Sequence, residues 1–190
     1  MTPQTVEVLD HSPVGAELEG SKLHAVAGVE RPQQKLVKHV PAETGSAYWG
    51  PGERMTFLIT GEETGGTLFL ADIEVAPGGG TPPHIHHRED ESFHVLKGTL
   101  TIQVGGNTIT ASAGDFAFLP RGIAHSFKNS GNGCAKALVL TTPAGLEGFF
   151  TEVFDPATDR FATPPPQSKD LIPRALAAAP KYGLELLPPA

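Results

Sequence analysis

Cysteine, basic clusters and long apolar runs are all scarce in this sequence. Cys134 is the single cysteine among 190 residues, which excludes an intrachain disulfide and favours a reducing compartment. We expect its side chain to be small, buried and just ahead of a strand. No stretch of about 18 apolar residues is present that could span a membrane. The first residues have neither a basic start nor an apolar core, so we expect no signal peptide and a cytoplasmic protein.

The charge balance limits the classes of partner. The formal net charge is -7, from 14 basic and 21 acidic residues. This argues against nucleic acid, because phosphate binding needs a basic face. The sequence also lacks the polybasic run that an anionic membrane surface would attract. We therefore expect a small-molecule partner, with neither nucleic acid nor a membrane involved.

Glycine and proline are abundant instead, with 22 and 18 residues. Together they make up more of the chain than the roughly 12% that is average, which favours short strands joined by tight turns. Strand-like segments rich in β-branched and aromatic residues follow one another from about residue 54. They are RMTFLIT, GTLFLADIEV, GTLTIQV, NTITA, DFAFLP, AHSFKN and AKALVLTT. In TLTIQV, Leu100 and Ile102 share one face, as in a half-buried antiparallel strand. The sequence predicts one all-β sandwich or barrel.

The flanking segments have a different pattern. Residues 1–50 show no sustained period and are interpreted as an N-terminal arm, whereas residues 51–145 form the predicted barrel. Residues 146–190 are interpreted as a helical segment with a Pro-rich tail, including the linker TPPPQ and a final helix that Asp170 could cap. An apolar stripe with helical spacing predicts a short helix packed on the barrel. Its members are Leu146, Phe149, Phe150, Val153 and Phe154.

Potential metal ligands are concentrated in PHIHHREDE, residues 83–91. On extended backbone His84 and His86 point to the same face, because side chains alternate along a strand. Imidazole suits Fe, Mn, Ni, Cu or Zn, and a carboxylate beside it favours an octahedral centre with open positions over a closed structural zinc. Two histidines and one acid hold a metal weakly, so a site inside a barrel needs a ligand from another strand. His125, in PRGIAHSFKN, is the candidate.

Two segments resemble the paired sequence motifs of the cupin family. The first motif is matched at Gly78, His84, His86, Glu91 and Gly98. The second motif is matched at Gly114, Pro120, Gly122, His125 and Asn129. The 15 residues between the motifs suit the short connection of small bacterial cupins. The resemblance covers about residues 55–142, under half of the chain.

The resemblance implies a double-stranded β-helix, or jelly-roll, barrel that holds one divalent transition metal per chain. The metal would be Fe, Mn, Ni, Co, Cu or Zn, and its implied ligands are His84, His86, Glu91 and His125. Such a set leaves two positions open for substrate and for dioxygen or water. Small cupins commonly pair through strands at the barrel edge, so a homodimer is also expected.

The residues around the implied ligands receive other interpretations. Asp90 is the alternative carboxylate ligand, but only Glu91 has the glycine of the motif at the right distance. His87, Glu89 and Asp90 are expected in a solvated loop between the ligands. His94 has the opposite parity to Glu91 on the following strand and should point away from the metal.

Three functions are compatible with such a site. The chain looks similar to quercetinase-like dioxygenases, which implies cleavage of a flavonol-like or other enol or aromatic small molecule with O2. On that hypothesis Glu91 is catalytic and accepts the hydroxyl proton of the substrate while it binds the metal. Four aromatic residues could line a pocket for a flat substrate or simply fill the barrel. They are Phe57, Phe93, Phe118 and Phe127.

Two alternatives to the dioxygenase stay open. One is a metal-dependent isomerase, epimerase or decarboxylase that acts on a sugar or a small acid. Such a site needs Lys or Arg aimed at phosphate or carboxylate, and Arg121 and Lys128 flank His125. The other alternative is a cupin that binds a small ligand without turnover.

Overall fold

The computed structural model describes residues 37–160 and 168–188. Within these ranges the chain forms two β-sheets with short helices beside them. The strands are β1 (Ala47–Gly50), β2 (Glu53–Ile59), β3 (Phe69–Val75), β4 (His84–His86), β5 (Asp90–Lys97), β6 (Thr99–Val104), β7 (Asn107–Ser112), β8 (Phe116–Leu119), β9 (His125–Lys128), β10 (Ala135–Thr142), β11 (Asp155–Pro156) and β12 (Leu184–Leu186). The helices are α1 (Gly61–Thr64), α2 (Glu147–Val153) and α3 (Leu171–Ala178), followed by a 3-10 helix (Ala179–Tyr182).

The two sheets have a jelly-roll topology. The larger sheet contains seven strands in the order β11-β1-β2-β3-β10-β5-β8, and the smaller contains five in the order β12-β4-β9-β6-β7. Neighbouring strands pair antiparallel throughout. Between β3 and β10 the chain passes repeatedly from one sheet to the other, so consecutive segments face each other across the barrel. The all-β fold class predicted from the sequence is therefore confirmed.

The core lies between the inner faces of the sheets. Along β3 the residues alternate strictly, with Phe69, Ile73 and Val75 fully buried. The predicted buried face of β6 is confirmed as well, since Leu100 and Ile102 are fully buried. Each large apolar side chain removed from water contributes about 1.5–3 kcal/mol, so this alternation fixes which face of each strand turns inward.

The segments outside the predicted barrel add elements to both sheets. β1 lies within residues 1–50 and pairs with β2 and β11, so the larger sheet begins at Ala47. The rest of that segment, up to residue 36, lies outside the described residues, as does the linker TPPPQ. β12 was not anticipated, and it pairs with β4 along the edge of the smaller sheet.

The C-terminal helices agree with the sequence pattern, but one capping detail differs. α2 buries Phe149, Phe150 and Val153, as the apolar stripe predicts. α3 begins directly after Asp170, although the Asp170 side chain makes no capping hydrogen bond. It accepts a hydrogen bond from the hydroxyl of Ser168 instead.

The surroundings of Cys134 and the lengths of the helices bear on two expectations from the sequence. The expectation that Cys134 is buried is wrong, because the residue ends an exposed turn and Ala135 takes the first buried position of β10. Among the described helices, none has the length and apolarity needed to cross a membrane.

Gly80 lies where the loop after β3 crosses β9. Its φ is 144°, and a Cβ at this position would lie 2.1 Å from the carbonyl oxygen of Phe127. Gly78 also has a positive φ, of 79°, but a Cβ there would meet nothing within 4 Å. The two glycines share a backbone requirement, and only Gly80 adds a close approach between chain segments.

This difference can be measured with matched alanine variants. We expect Gly80→Ala to lower the free energy of unfolding by about 2–4 kcal/mol, because backbone conformation and overlap both oppose a Cβ. Gly78→Ala should cost only about 1–2 kcal/mol, from backbone conformation alone. Urea unfolding of both variants measures the difference. Equal costs would contradict the proposed crossing.

Candidate metal centre

Four potential ligand side chains converge from three strands. β4 supplies His84 and His86, β5 supplies Glu91, and β9 supplies His125. His84 and His125 are direct partners across the β4–β9 pair, and the alternation of β4 puts His86 on the same inner face as His84. All four side chains are buried, with exposed fractions between 2 and 7%. The structure therefore brings together every residue that the two motifs nominated as a ligand.

The spacing of these groups suits a single ion. One potential ligand atom from each residue can be chosen so that all four lie within 4.8 Å of one another. Ligand atoms bound to one ion at about 2.1 Å lie at most about 4.2 Å apart. A contraction of a few tenths of an ångström would thus complete the coordination.

Backbone carbonyls orient two of the rings. His84 Nδ1 donates a hydrogen bond to the carbonyl oxygen of Pro82 at 2.8 Å, and His125 Nδ1 donates one to that of Ile123 at 2.9 Å. Each bond fixes the tautomer in which Nε2 carries the free lone pair. Nε2 of His84 and of His125 is thereby available to a metal.

Two polar atoms at the centre lack hydrogen bonds. His125 Nε2 lies 3.2 Å from Glu91 Oε2, yet neither makes a hydrogen bond of acceptable geometry with any described residue. A buried polar atom without a partner costs about 1–3 kcal/mol. A divalent ion would provide the missing partner for both atoms, so the residues fit the metal that the motifs imply.

Burial and mutual proximity set the charges of the cluster. Burial, and secondarily the neighbouring His125 and His86, lower the pKa of His84 to about 4. Burial also lowers the pKa of His86. For Glu91, burial acts to raise the pKa, but the close His125 ring and the other imidazoles outweigh it and the pKa is lowered. For His125, burial acts to lower the pKa, but the adjacent Glu91 raises it overall. A carboxylate beside neutral β4 imidazoles is the state that binds a cation.

The carboxylate of Asp90 is turned away from this cluster. Both of its oxygens accept hydrogen bonds from the Arg121 guanidinium, at 3.0 and 2.7 Å. These bonds hold the pKa of Asp90 at about 2. The choice of Glu91 over Asp90, made on motif spacing alone, agrees with this geometry.

The connection between the ligands is only partly solvated. His87 is half-exposed and pairs with Glu185 at 3.0 Å, as expected for a surface position. The expectation for Glu89 is wrong, because its side chain is only 2% exposed and its Oε2 lies 3.9 Å from His86 Nδ1. Burial raises the pKa of Glu89. Neither Glu89 Oε2 nor His86 Nδ1 makes a hydrogen bond with a described residue, and the spacing of three residues from His86 was the available sequence signal for their proximity. His94 is exposed and points outward, as predicted.

A small apolar cavity of about 80 Å³ adjoins the cluster. Of the four phenylalanines proposed for the pocket, only Phe127 lines this cavity. Phe57 and Phe93 are buried in the core instead, where they contact other aromatic rings. The prediction for Phe118 is wrong, because it lies on the outer face of β8 and is 55% exposed. Much of the wall comes from C-terminal elements, including Phe149, Phe150 and Phe154.

Glu53 is a cavity residue that the sequence reasoning missed. It lies on β2, is only 2% exposed and lines the same cavity as His84, His86 and Glu91. Burial, and secondarily the charge of Glu91, raise its pKa to about 8. The available signal was an acidic residue with the same parity as the apolar Met55 in an alternating strand.

A larger groove of about 890 Å³ borders β2 and β3 but contains none of the four clustered residues. Several of its charged side chains pair with one another, as in Arg54–Glu74 at 2.9 Å and Lys136–Asp72 at 3.0 Å, and Glu53 borders this groove as well as the smaller cavity. The chemistry-bearing site is therefore the smaller cavity, although the groove is more spacious.

Comparison with known proteins agrees with this geometry. Residues 71–141 match the family model for the cupin domain. The matched residues are similar to a cupin domain and include His84, His86, Glu91 and His125. Germin-like protein 1-1 of Oryza sativa subsp. japonica is 36% identical to the chain over 113 residues, which cover 56% of this chain and 49% of the relative. The chain spans about half the length of the first curated relatives it matches.

Two other similar proteins extend the comparison. Oxalate oxidase GF-3.8 of Triticum aestivum is 31% identical over 151 residues, covering 71% of this chain and 63% of the relative. The crystal structure of a protein described as a "predicted oxalate decarboxylase" from Thermotoga maritima superposes with a TM-score of 0.53. It shares 22% identity and covers 56% of this chain and 99% of its own, so it supports the cupin fold alone.

Metal binding by the four-residue cluster can be tested with a matched pair of histidine variants. We expect His125→Ala to weaken metal affinity by at least about tenfold, because one of four ligands is lost. His94→Ala removes an exposed imidazole that points away from the cluster and should leave the affinity unchanged. Elemental analysis after dialysis against a competing chelator measures bound metal. Equal metal content in both variants would contradict the assigned site.

Proposed function

We propose that this cupin domain is a metal-dependent dioxygenase that cleaves a small enol or aromatic molecule, flavonol-like in its chemistry, with O2. The observation that carries the proposal is the combination of a four-ligand cluster with an apolar cavity beside it. The titratable residues of the cavity wall are Glu53, His84, His86 and Glu91, and no basic side chain of the described residues joins them. Aromatic walls of this kind suit a flat, weakly charged substrate.

Among the described residues, no lysine or arginine lines the cavity, which argues against recognition of a phosphate or carboxylate group. Arg121 is engaged with Asp90 and its side chain is 47% exposed, while Lys128 is exposed on β9. Neither of them lines the cavity. A sugar phosphate would therefore find no Lys or Arg partner in the cavity, which lowers the support for an isomerase.

The cavity volume narrows the substrate class. At about 80 Å³ it is far smaller than the roughly 300–1,000 Å³ of pockets for drug-sized ligands. A single-ring enol or catechol suits this space better than a flavonol with several rings. A flavonol would require α2 and α3, which supply part of the wall, to move away from the barrel.

The residues of the cluster and of the cavity would have different roles. His84, His86, Glu91 and His125 would hold the ion, which would polarise a substrate oxygen and offer adjoining positions to substrate and O2. Glu91 would accept the proton of the substrate hydroxyl on a carboxylate oxygen, leaving the electron pair on the substrate. The apolar walls would exclude water from the oxidised ring.

A second candidate function rests on the wheat relative. That protein is named an oxalate oxidase and aligns with 71% of this chain, and a small acid would fit the limited cavity volume. On this alternative the metal ion alone would bind the carboxylate groups of the small acid, because the described residues of the cavity wall include no Lys or Arg.

Oxygen uptake separates these functions. Protein loaded separately with Fe(II), Mn(II), Ni(II) and Co(II) would be given catechol, quercetin or oxalate. We expect uptake with catechol or quercetin for at least one metal, reduced at least about 100-fold in His125→Ala and unchanged in His94→Ala. Uptake with oxalate alone would replace the proposal with the second function. No oxygen uptake with any combination of metal and substrate would contradict both proposed functions.

We also propose that the chain forms a homodimer through the outer face of β8. Phe116 and Phe118 are 65% and 55% exposed there, and β8 is an edge strand of the larger sheet. Pairing with a second copy would cover both rings and the unpaired backbone of the edge. Light scattering after size exclusion should give twice the mass of the chain, and Phe118→Asp should shift it to monomer. A monomeric unaltered protein at working concentration would contradict this arrangement.

A further inference from the structure

Among the described residues that line the cavity beside the cluster, Glu53 is the one carboxyl group that neither cupin motif includes. It begins β2, on the larger sheet, and its side chain turns inward with the core residues Met55 and Phe57. The residue opposite Glu53 on the neighbouring strand β3 is Val75, which is apolar and fully buried. A glutamate at such a position loses its hydration without gaining a charged neighbour on the adjacent strand.

The Glu53 carboxyl group is also without a protein partner. Its Oε2 is buried and makes no hydrogen bond to any side chain or backbone group in the described part of the chain. An unsatisfied carboxyl oxygen costs about 1–3 kcal/mol, so its retention beside a reaction site points to a ligand that satisfies it. The position differs from that of Glu91, whose oxygen has His125 Nε2 at 3.2 Å.

Glu53 borders both the small cavity and the larger groove, whose basic residues are Arg54, Lys136 and Arg160. Arg54 and Lys136 are paired there with Glu74 and Asp72, and Arg160 donates hydrogen bonds to the carbonyl oxygens of Thr44 and Gly45.

Within the wall of the small cavity, the titratable groups that face Glu53 are Glu91 on β5 and His84 and His86 on β4. The wall residues from α2, α3 and β12 are uncharged. The next residue of β2, Arg54, alternates to the other face, where it pairs with Glu74. Within the described part of the chain, no Lys or Arg of the small cavity therefore compensates a negative charge on Glu53.

We propose that Glu53 is a second catalytic carboxyl group of this cavity, which in its protonated form donates a hydrogen bond to an oxygen atom of the bound substrate. The inference rests on the proposed function and assigns Glu53 a role distinct from that of Glu91. One carboxylate accepts the hydroxyl proton, while the other, kept neutral, stabilises the charge that develops on a neighbouring substrate oxygen. The O–H bond of Glu53 is retained, so no further acid, base or oxidant is needed.

The titration of Glu53 gives the role a pH dependence. Because burial raises its pKa to about 8, the carboxyl group is a donor at neutral pH and loses its proton as the pH rises through that value. Above it, an ionised Glu53 would repel an anionic ligand. Affinity for the ligand should therefore fall on the alkaline side in the unaltered protein and not in Glu53→Gln, whose amide keeps a donor but does not titrate.

Infrared difference spectroscopy tests the contact directly. The probe is 4-nitrocatechol, added without O2 to the metal-loaded full chain at neutral pH. We expect a protonated-carboxyl C=O band that moves on exchange into D2O, is absent in Glu53→Gln, is kept in Glu74→Gln and shifts to lower frequency when the probe binds. The D2O response shows that the band comes from a protonated carboxyl group even if the Gln variant fails to fold. A missing band, or a band that the bound probe does not shift, would overturn the proposal.

Probe affinity across the pH range supplies the second measurement. Relative to Glu53→Gln, the unaltered protein should lose about tenfold in affinity between about pH 7 and pH 9, while Glu74→Gln should follow the unaltered protein. Metal content should be the same in all three, since Glu53 is not a ligand. Parallel pH profiles for Glu53→Gln and the unaltered protein would overturn the role of Glu53.

The two proposals fail in different ways. A shifted carboxyl band without O2 uptake for any substrate would overturn the dioxygenase and leave Glu53 as a ligand-binding donor. Oxygen uptake with the same rate and pH profile in Glu53→Gln as in the unaltered protein would agree with the dioxygenase and overturn the proposed role of Glu53. Failure of the unaltered, metal-loaded protein to bind 4-nitrocatechol or quercetin would overturn both.

Discussion

Burial of several ionisable groups in one apolar barrel is the constraint on which the rest of this structure depends. Three imidazoles and the Glu91 carboxyl group are withdrawn from water within a space that one ion could bridge. Without a positive centre, such a group of lone pairs would oppose folding, because desolvated donors and acceptors need partners. The arrangement is therefore best understood as the protein part of a metal site.

The jelly-roll supplies the geometry that this site requires. Antiparallel pairing sets His84 opposite His125, and the two-residue period of β4 returns His86 to the same face. The C-terminal elements then close the other side of the cavity. α2 and α3 contribute apolar side chains, and β12 pairs along β4, the strand that carries two of the ligands. These elements lie outside the segment that matches the cupin model, so they are where this chain can set its own substrate preference.

The sequence predicted those features that depend on local spacing. Alternation along β6 and helical spacing in α2 each place residues on a face within a few positions, and motif spacing distinguished Glu91 from Asp90. The positions of Glu53, Glu89 and Phe118 depend instead on long-range packing. Glu53 lies on β2, three strands from β5 and its Glu91 in the larger sheet, and Phe118 lies on the outer face of β8, the edge strand of that sheet. Local sequence patterns do not show which strands become neighbours in a sheet. The surroundings of these three residues could therefore be found only from the structure.

X-ray absorption spectroscopy of the metal-loaded protein tests the central claim most directly, because it reports the atoms bound to the ion independently of turnover. We expect the fine structure at the metal edge to show about three imidazoles and additional oxygen ligands at about 2.0–2.2 Å. The imidazole contribution should decrease in His125→Ala and stay constant in His94→Ala. A spectrum with oxygen ligands only, identical in both variants, would contradict the assignment of the buried cluster as the metal site.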